Sequence, residues 1–151
     1  MKTLIILNEA PYGGEKTYNA LRLAMALQKE HPGTEVLVFL MADAVTAALP
    51  AQATPQGYYN IERMLRFVLN KGGQVRLCGT CCEARGIKAM PLIEGSEIST
   101  TGGLSPWTVE SDKGLAVSAA TPAASPHSPV LTCIYRWYRL RNSSGEIPEW
   151  S

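Results

Sequence analysis

Val36-Leu37-Val38-Phe39-Leu40-Met41 is an unbroken apolar run that follows Glu35. A strand with one wet face would alternate apolar and polar residues. An uninterrupted run of this length instead reads as a strand buried on both faces, the mark of a parallel sheet. Parallel strands need crossover segments, and the flanking sequence supplies them. Upstream, residues 3–7 form a second continuous apolar run. Between the two, residues 15–30 carry Ala20, Leu23, Ala24 and Leu27 at the i, i+3, i+4, i+7 spacing of an amphipathic helix. His31-Pro32-Gly33 stops that helix.

Downstream, residues 42–48 read as a short helical turn and residues 50–57 as an irregular loop with two prolines. Residues 59–70 form a second amphipathic helix with Ile61, Met64, Leu65, Val68 and Leu69 on one face. Gly72-Gly73 ends it, and residues 74–78 are a third strand. Glu97-Ile98 marks a fourth strand. Residues 99–113 are a weaker helix around Trp107 and Val109, interrupted by Gly102, Gly103 and Pro106, and residues 115–118 are a fifth strand. The expected fold is therefore α/β: a three-layer α/β/α domain with a mostly parallel five-stranded sheet. In such folds ligand chemistry sits outside the carboxyl ends of the strands, and Cys78 stands at one.

The sequence divides into a domain over residues 1–118 and a Pro/Ser-rich linker with a C-terminal extension over residues 119–151. Residues 130–140 interleave Cys133, Tyr135, Trp137 and Tyr138 with Arg136 and Arg139, which reads as an edge strand or an oligomer contact. The extension reads either in that way or as a segment foreign to the fold. Net charge is +1 with no basic run, so no nucleic-acid partner is expected. The apolar run at residues 4–7 is too short for a signal-peptide core, and nothing approaches a membrane-spanning length. No membrane partner and a cytoplasmic location follow as expectations. There thiols stay reduced, so four cysteines point to chemistry or metal before a disulfide scaffold.

Three of those cysteines fall in Cys78-Gly79-Thr80-Cys81-Cys82-Glu83-Ala84-Arg85-Gly86, at the join of strand and helix. Thr80 followed by Glu83 is a capping-box pattern; with Thr80 as N-cap, Cys81 and Cys82 are the first two helical residues. Free amides and the helix dipole then lower the pKa of a facing thiol, Arg85 adds positive charge, and Gly79 permits the tight exit. Cys78 is a nucleophile or, on the alternative, an inert buried thiol. Cys78 and Cys81 also make a Cys-x-x-Cys, which suits a thiol-disulfide oxidoreductase with Cys81 as resolving thiol, though no Trp-Cys-Gly-Pro-Cys context surrounds it. Cys82 is expected to face the core. No second cysteine pair exists for zinc, so neither metal nor cofactor is expected.

The glycine-bearing loop of residues 8–14 offers a small-anion cleft formed by Tyr12, Gly13 and Gly14, with Thr80 and Arg85. The alternative is a tight connection whose Tyr12 packs at a subunit contact. Glu94 and Glu97 either line the same cleft or are solvated. No nucleotide-binding glycine motif and no Ser-His-Asp set is indicated.

Four segments, in order, resemble the DsrE/TusD/YchN-like family: Asn8-Glu9-Ala10-Pro11-Tyr12-Gly13-Gly14-Glu15, Asn19-Ala20-Leu21-Arg22-Leu23-Ala24, the Cys78 segment through Ile87, and Leu92-Ile93-Glu94-Gly95-Ser96-Glu97-Ile98-Ser99. The resemblance covers roughly residues 3–118. It implies a homo-oligomer, commonly a trimer or hexamer, and a place in sulfur relay with a donor or acceptor protein. In sulfur-transferring members a cysteine ahead of an Arg-Gly pair carries sulfur as a persulfide. Counted back from Arg85-Gly86, that cysteine is Cys78. The expected function is transfer of sulfane sulfur on Cys78 with Cys81 assisting. A non-catalytic oligomeric binding subunit and the thiol-disulfide oxidoreductase are the alternatives.

Overall fold

The computed structural model describes residues 1–118 and the backbone of Ile134–Trp137. Five strands run parallel: β1 (Lys2–Leu7), β2 (Glu35–Leu40), β3 (Gln74–Cys78), β4 (Ser96–Ser99) and β5 (Lys113–Val117). Their spatial order is β4-β3-β2-β1-β5. A sixth strand, β6 (Ile134–Trp137), pairs antiparallel with β5 at the edge. The expected mostly parallel α/β sheet is what forms. Residues 119–133 and 138–151, with His127 and Cys133, lie outside the described residues.

The chain steps from β1 to β2 to β3 in one direction through α1 (Lys16–Glu30) and α2 (Ile61–Asn70). It then returns from β4 to β5 through α4 (Thr101–Glu110). Right-handed crossovers in opposite directions put α1 and α2 on one face and α4 on the other. β2 lies in the middle, and Val36, Leu37, Val38, Phe39 and Leu40 are all buried.

In α1 the inward stripe is Thr17, Ala20, Leu21 and Ala24, whereas Leu23 is 44% exposed. The sequence holds two overlapping stripes of helical spacing that share Ala20 and Ala24, and packing selects the one with Thr17 and Leu21 over the one with Leu23 and Leu27. Small residues let the helix axis approach closely. Gln28 Nε2 donates to the Val68 carbonyl (3.0 Å), which ties α1 to α2, and Tyr18 stacks at 4.1 Å on Tyr59, just ahead of the α2 cap. The α2 stripe of Ile61, Met64, Leu65 and Val68 is buried as its spacing requires, and Asn60 caps it by accepting from Arg63 N–H (3.0 Å).

Helix α4 forms despite its composition. Two glycines and an internal proline cost about 1 and 3 kcal/mol per residue relative to alanine in a helix interior. Thr100 offsets part of this by accepting from Gly103 N–H (3.2 Å). The rest comes from tertiary packing: Leu104 and Trp107 are buried, and Trp107 meets Phe39 edge-on with centroids 6.2 Å apart. The Arg76 guanidinium lies 4.3 Å from the Trp107 ring centroid on the same face.

Candidate functional site

All five parallel strands point their carboxyl ends the same way, and the cysteines gather there. Cys78 is the last residue of β3 and is paired in register with Ser99, the last of β4. The chain turns at once into α3 (Gly79–Ala84). Gly79 is needed at that corner: a Cβ there would stand 3.1 Å from the Ser99 carbonyl oxygen and 3.2 Å from Ile98 Cγ2. A 3-10 segment, Ala42–Ala48, leaves β2 and packs against α3. Loops that follow neighbouring parallel strands converge, and this convergence builds the site.

The capping expectation is corrected here. Cys78, not Thr80, is the N-cap of α3, so Cys81 and Cys82 are its third and fourth residues. Glu83 does not reach back; its carboxylate accepts from Lys88 (3.3 Å). The reason is the immediate contact of Gly79 with β4, which starts the helix one residue after the strand. Freed from capping, the Thr80 hydroxyl lies 3.2 Å from Cys78 Sγ. The amides of Thr80 and Cys81 face the same sulfur without the geometry of a formal cap hydrogen bond.

These contacts set the thiol chemistry. Burial, the largest single influence, pushes the Cys78 pKa up; hydrogen bonds from the Cys81 thiol, the Thr80 hydroxyl and the two amides outweigh it, so Cys78 ends below the ordinary thiol value. A six-residue helix contributes little macrodipole, so the lowering is local. Cys81 is shifted the other way, by burial and by its hydrogen bond to Cys78, against the Ala42 amide and the Arg85 charge. Cys82 is wholly buried, as expected, and burial raises its pKa as well. All three thiols are free. Cys78 is only 3% exposed, but Cys81 beside it is half-buried and Thr80 is exposed, so solvent reaches the rim of the sulfur pair.

Arg85 is not a free cation. Its Nε and Nη2 donate to Asp43 Oδ1 (2.9 and 2.7 Å), and Nη1 donates to the Cys81 carbonyl (3.2 Å). Its charge acts on Cys81 and Cys82, while the main influences on Cys78 come from burial, Cys81 and Thr80. Ala42 has φ +47°, a left-handed conformation that a Cβ residue rarely adopts, and its N–H faces the Cys81 sulfur. Ala42 and Asp43 were not singled out from the sequence. The signal available was their place, immediately after β2, the strand next to β3.

Tyr12, Gly13 and Gly14 are organised around different partners. The Tyr12 hydroxyl donates to Gln52 Oε1 (2.7 Å) and accepts from Ile61 N–H (3.1 Å). Its ring packs with Tyr58 and Tyr59, and the Tyr59 hydroxyl donates to the Gly14 carbonyl (3.3 Å). Gly13 (φ +99°) and Gly14 are exposed. Glu94 is not in a cleft with the cysteines. It lines an open groove of about 510 Å³ with Arg66, Leu69, Asn70, Gly73 and Gly95. Gly73 and Gly95 immediately precede β3 and β4, so this groove is at the amino edge, a strand's length from Cys78. Glu97 is exposed and pairs with Arg76 (3.6 Å). Among the described residues no three His, Cys, Asp or Glu side chains cluster as a metal site requires.

A model of the DsrE/DsrF-like family fits residues 1–117. The chain belongs to the DsrE/DsrF-like family. Within it, Protein YchN of Escherichia coli (strain K12) is 46% identical over 114 residues, 76% of this chain and 97% of that protein. An uncharacterised protein of Methanocaldococcus jannaschii is 40% identical over 112 residues, 74% of this chain and 96% of its own length. The crystal structure of the Escherichia coli ychN protein superposes with a TM-score of 0.73 at 45% identity, covering 76% of this chain and 97% of that one. The five parallel strands and their helices are thus those of this DsrE/DsrF-like fold.

Proposed function

We propose that this DsrE/DsrF-like chain accepts sulfane sulfur on Cys78 as a persulfide and passes it to an acceptor thiol. The observation that carries this reading is the Thr80 hydroxyl 3.2 Å from a Cys78 sulfur whose pKa is held below the ordinary thiol value. The thiolate attacks the outer sulfur of a donor, a sulfur-sulfur bond forms on Cys78, and the donor's remaining sulfur leaves with the electron pair. An acceptor thiolate then attacks the terminal sulfur and Cys78 leaves as thiolate, ready for the next transfer. A buried sulfur with half-buried Cys81 and exposed Thr80 beside it suits a single sulfur atom at the tip of a donor side chain or a small anion such as thiosulfate.

Assembly belongs to the same proposal. A homo-oligomer, trimer or hexamer, is supported by Ile98 (39%) and Val109 (66%), apolar side chains exposed on β4 and α4. A donor or acceptor protein is its second partner, in the reducing cytoplasm.

The test is intact mass of the reduced protein after thiosulfate or polysulfide. Gain of one sulfur, lost in Cys78→Ser and kept in Cys82→Ser, is the expected result. Absence of any sulfur adduct in the wild type and in Cys81→Ser alike refutes the carrier and leaves the oligomeric binding subunit. Mass by light scattering checks the subunit number.

A further inference from the structure

Simple carriage of sulfur leaves two features of the site unused. One is the thiol of Cys81, half-buried and neighbour to Cys78. The other is the left-handed Ala42, whose amide faces that thiol. We propose that Cys81 discharges the persulfide formed on Cys78, expelling the outer sulfur as hydrogen sulfide and leaving a Cys78–Cys81 disulfide that a dithiol reductant reopens. This rests on Cys78 carrying sulfane sulfur.

The placement is favourable. Side chains three residues apart at a helical turn have Cβ atoms about 5–6 Å apart. Small adjustments close that gap to the roughly 4 Å of a disulfide. Cys78 caps the helix whose first turn holds Cys81, so both thiols stand at one helix end. Cys82 is wholly buried under α3 and is not a competitor of equal access.

The order of events follows from the charges around Cys81. At rest, two influences that hold its proton come from Cys78: the hydrogen bond and the like charge of the thiolate. Once Cys78 carries a second sulfur, the negative charge sits one atom farther out. The Ala42 amide and the Arg85 guanidinium, fixed by Asp43, stay where they were, and both favour a Cys81 thiolate.

Each atom is accounted for. The Cys81 proton passes to the terminal sulfur, and the Cys81 thiolate attacks Cys78 Sγ. The bond from Sγ to the terminal sulfur breaks, and hydrosulfide departs with the electron pair. The sulfane sulfur is reduced by two electrons, and the two cysteines are oxidised to the disulfide. A dithiol returns those electrons.

The experiment loads the reduced full-length protein with polysulfide without oxygen, removes the donor by desalting, and then follows free sulfide. The tryptic peptide 77–85, which holds Cys78, Cys81 and Cys82, is weighed at intervals. Wild type is expected to release one sulfide per loaded chain while the peptide goes from an added sulfur to a loss of two hydrogens. Cys81→Ser and Cys81→Ala are expected to keep the added sulfur and release sulfide about tenfold more slowly. Arg85→Gln, once loaded, is expected to discharge more slowly than wild type. If wild type keeps its persulfide as long as Cys81→Ser does, discharge is overturned and the carrier stands. If Cys82→Ser abolishes release while the Cys81 variants do not, discharge by Cys81 is likewise overturned. If no chain takes up sulfur, the carrier fails and discharge fails with it.

Discussion

Replacing Thr80 with valine keeps the shape of the side chain and removes the hydroxyl 3.2 Å from Cys78 Sγ. When Cys78 is ionised that hydroxyl can only donate, so its loss disfavours the thiolate. Hydrogen bonds to charged groups contribute about 1.5–3 kcal/mol, and the low end applies because Thr80 itself is exposed. About 1.4 kcal/mol is tenfold in the ionisation equilibrium. Below its titration midpoint, then, Cys78 has about tenfold less thiolate in the variant. A more basic thiolate is also a better nucleophile, by about threefold for that change, so the net loss in rate is about threefold. Well above the midpoint both proteins are fully ionised, and the variant should react about threefold faster. The assay is the pH dependence of iodoacetamide alkylation, read on peptide 77–85, with Thr80→Ser as the control that retains the hydroxyl. Two rate profiles that cross are expected. Equal rates at every pH, or a variant faster on the acid side, would mean that Thr80 does not stabilise the thiolate.

Trp107→Ala should cost about 3–5 kcal/mol in urea denaturation, because Trp107 anchors a helix of poor intrinsic propensity. Hydrogen exchange over residues 101–110 should quicken, and a cost below about 1 kcal/mol would contradict tertiary anchoring of α4. Tyr59 is pushed up to about 12, first by its hydrogen bond with Tyr58 and then by desolvation. The folded state therefore holds the phenol proton more tightly than the unfolded chain. Its contribution to stability is complete below pH 10 and is lost as pH rises toward about 12. Tyr58→Phe should shift the tyrosinate absorbance titration of Tyr59 to lower pH; an unmoved titration would refute the pairing.

The parts of the fold legible in the sequence were those where one period dominated. β2 and α2 each have a single apolar pattern, and both formed where it placed them. α1 has two patterns offset by three residues, and only contact with the sheet selects between Leu21 and Leu23. α4 was the hardest element because Gly102, Gly103 and Pro106 speak against a helix locally, while the face that stabilises it, Phe39 and Arg76, comes from distant strands. At the site, the clustering of Cys78, Cys81 and Cys82 was visible at once. The start of α3 was not, because a capping box at Thr80 is a local preference and the close approach of Gly79 to Ser99 is a contact across the sheet. Arg85 looked like a spare cation until the fold brought Asp43 against it.

The backbone at Ala42 has a consequence for how this protein tolerates change. A left-handed alanine is disfavoured by roughly 1–2 kcal/mol, a penalty that glycine escapes. Glycine at that position keeps the amide and its aim, so the scaffold can be hardened without altering the thiols. A valine or isoleucine there would be far worse strained, on the same backbone bend that faces Cys81. Durability and reactivity are thus separately adjustable at one residue, which makes it a natural first position for engineering the molecule.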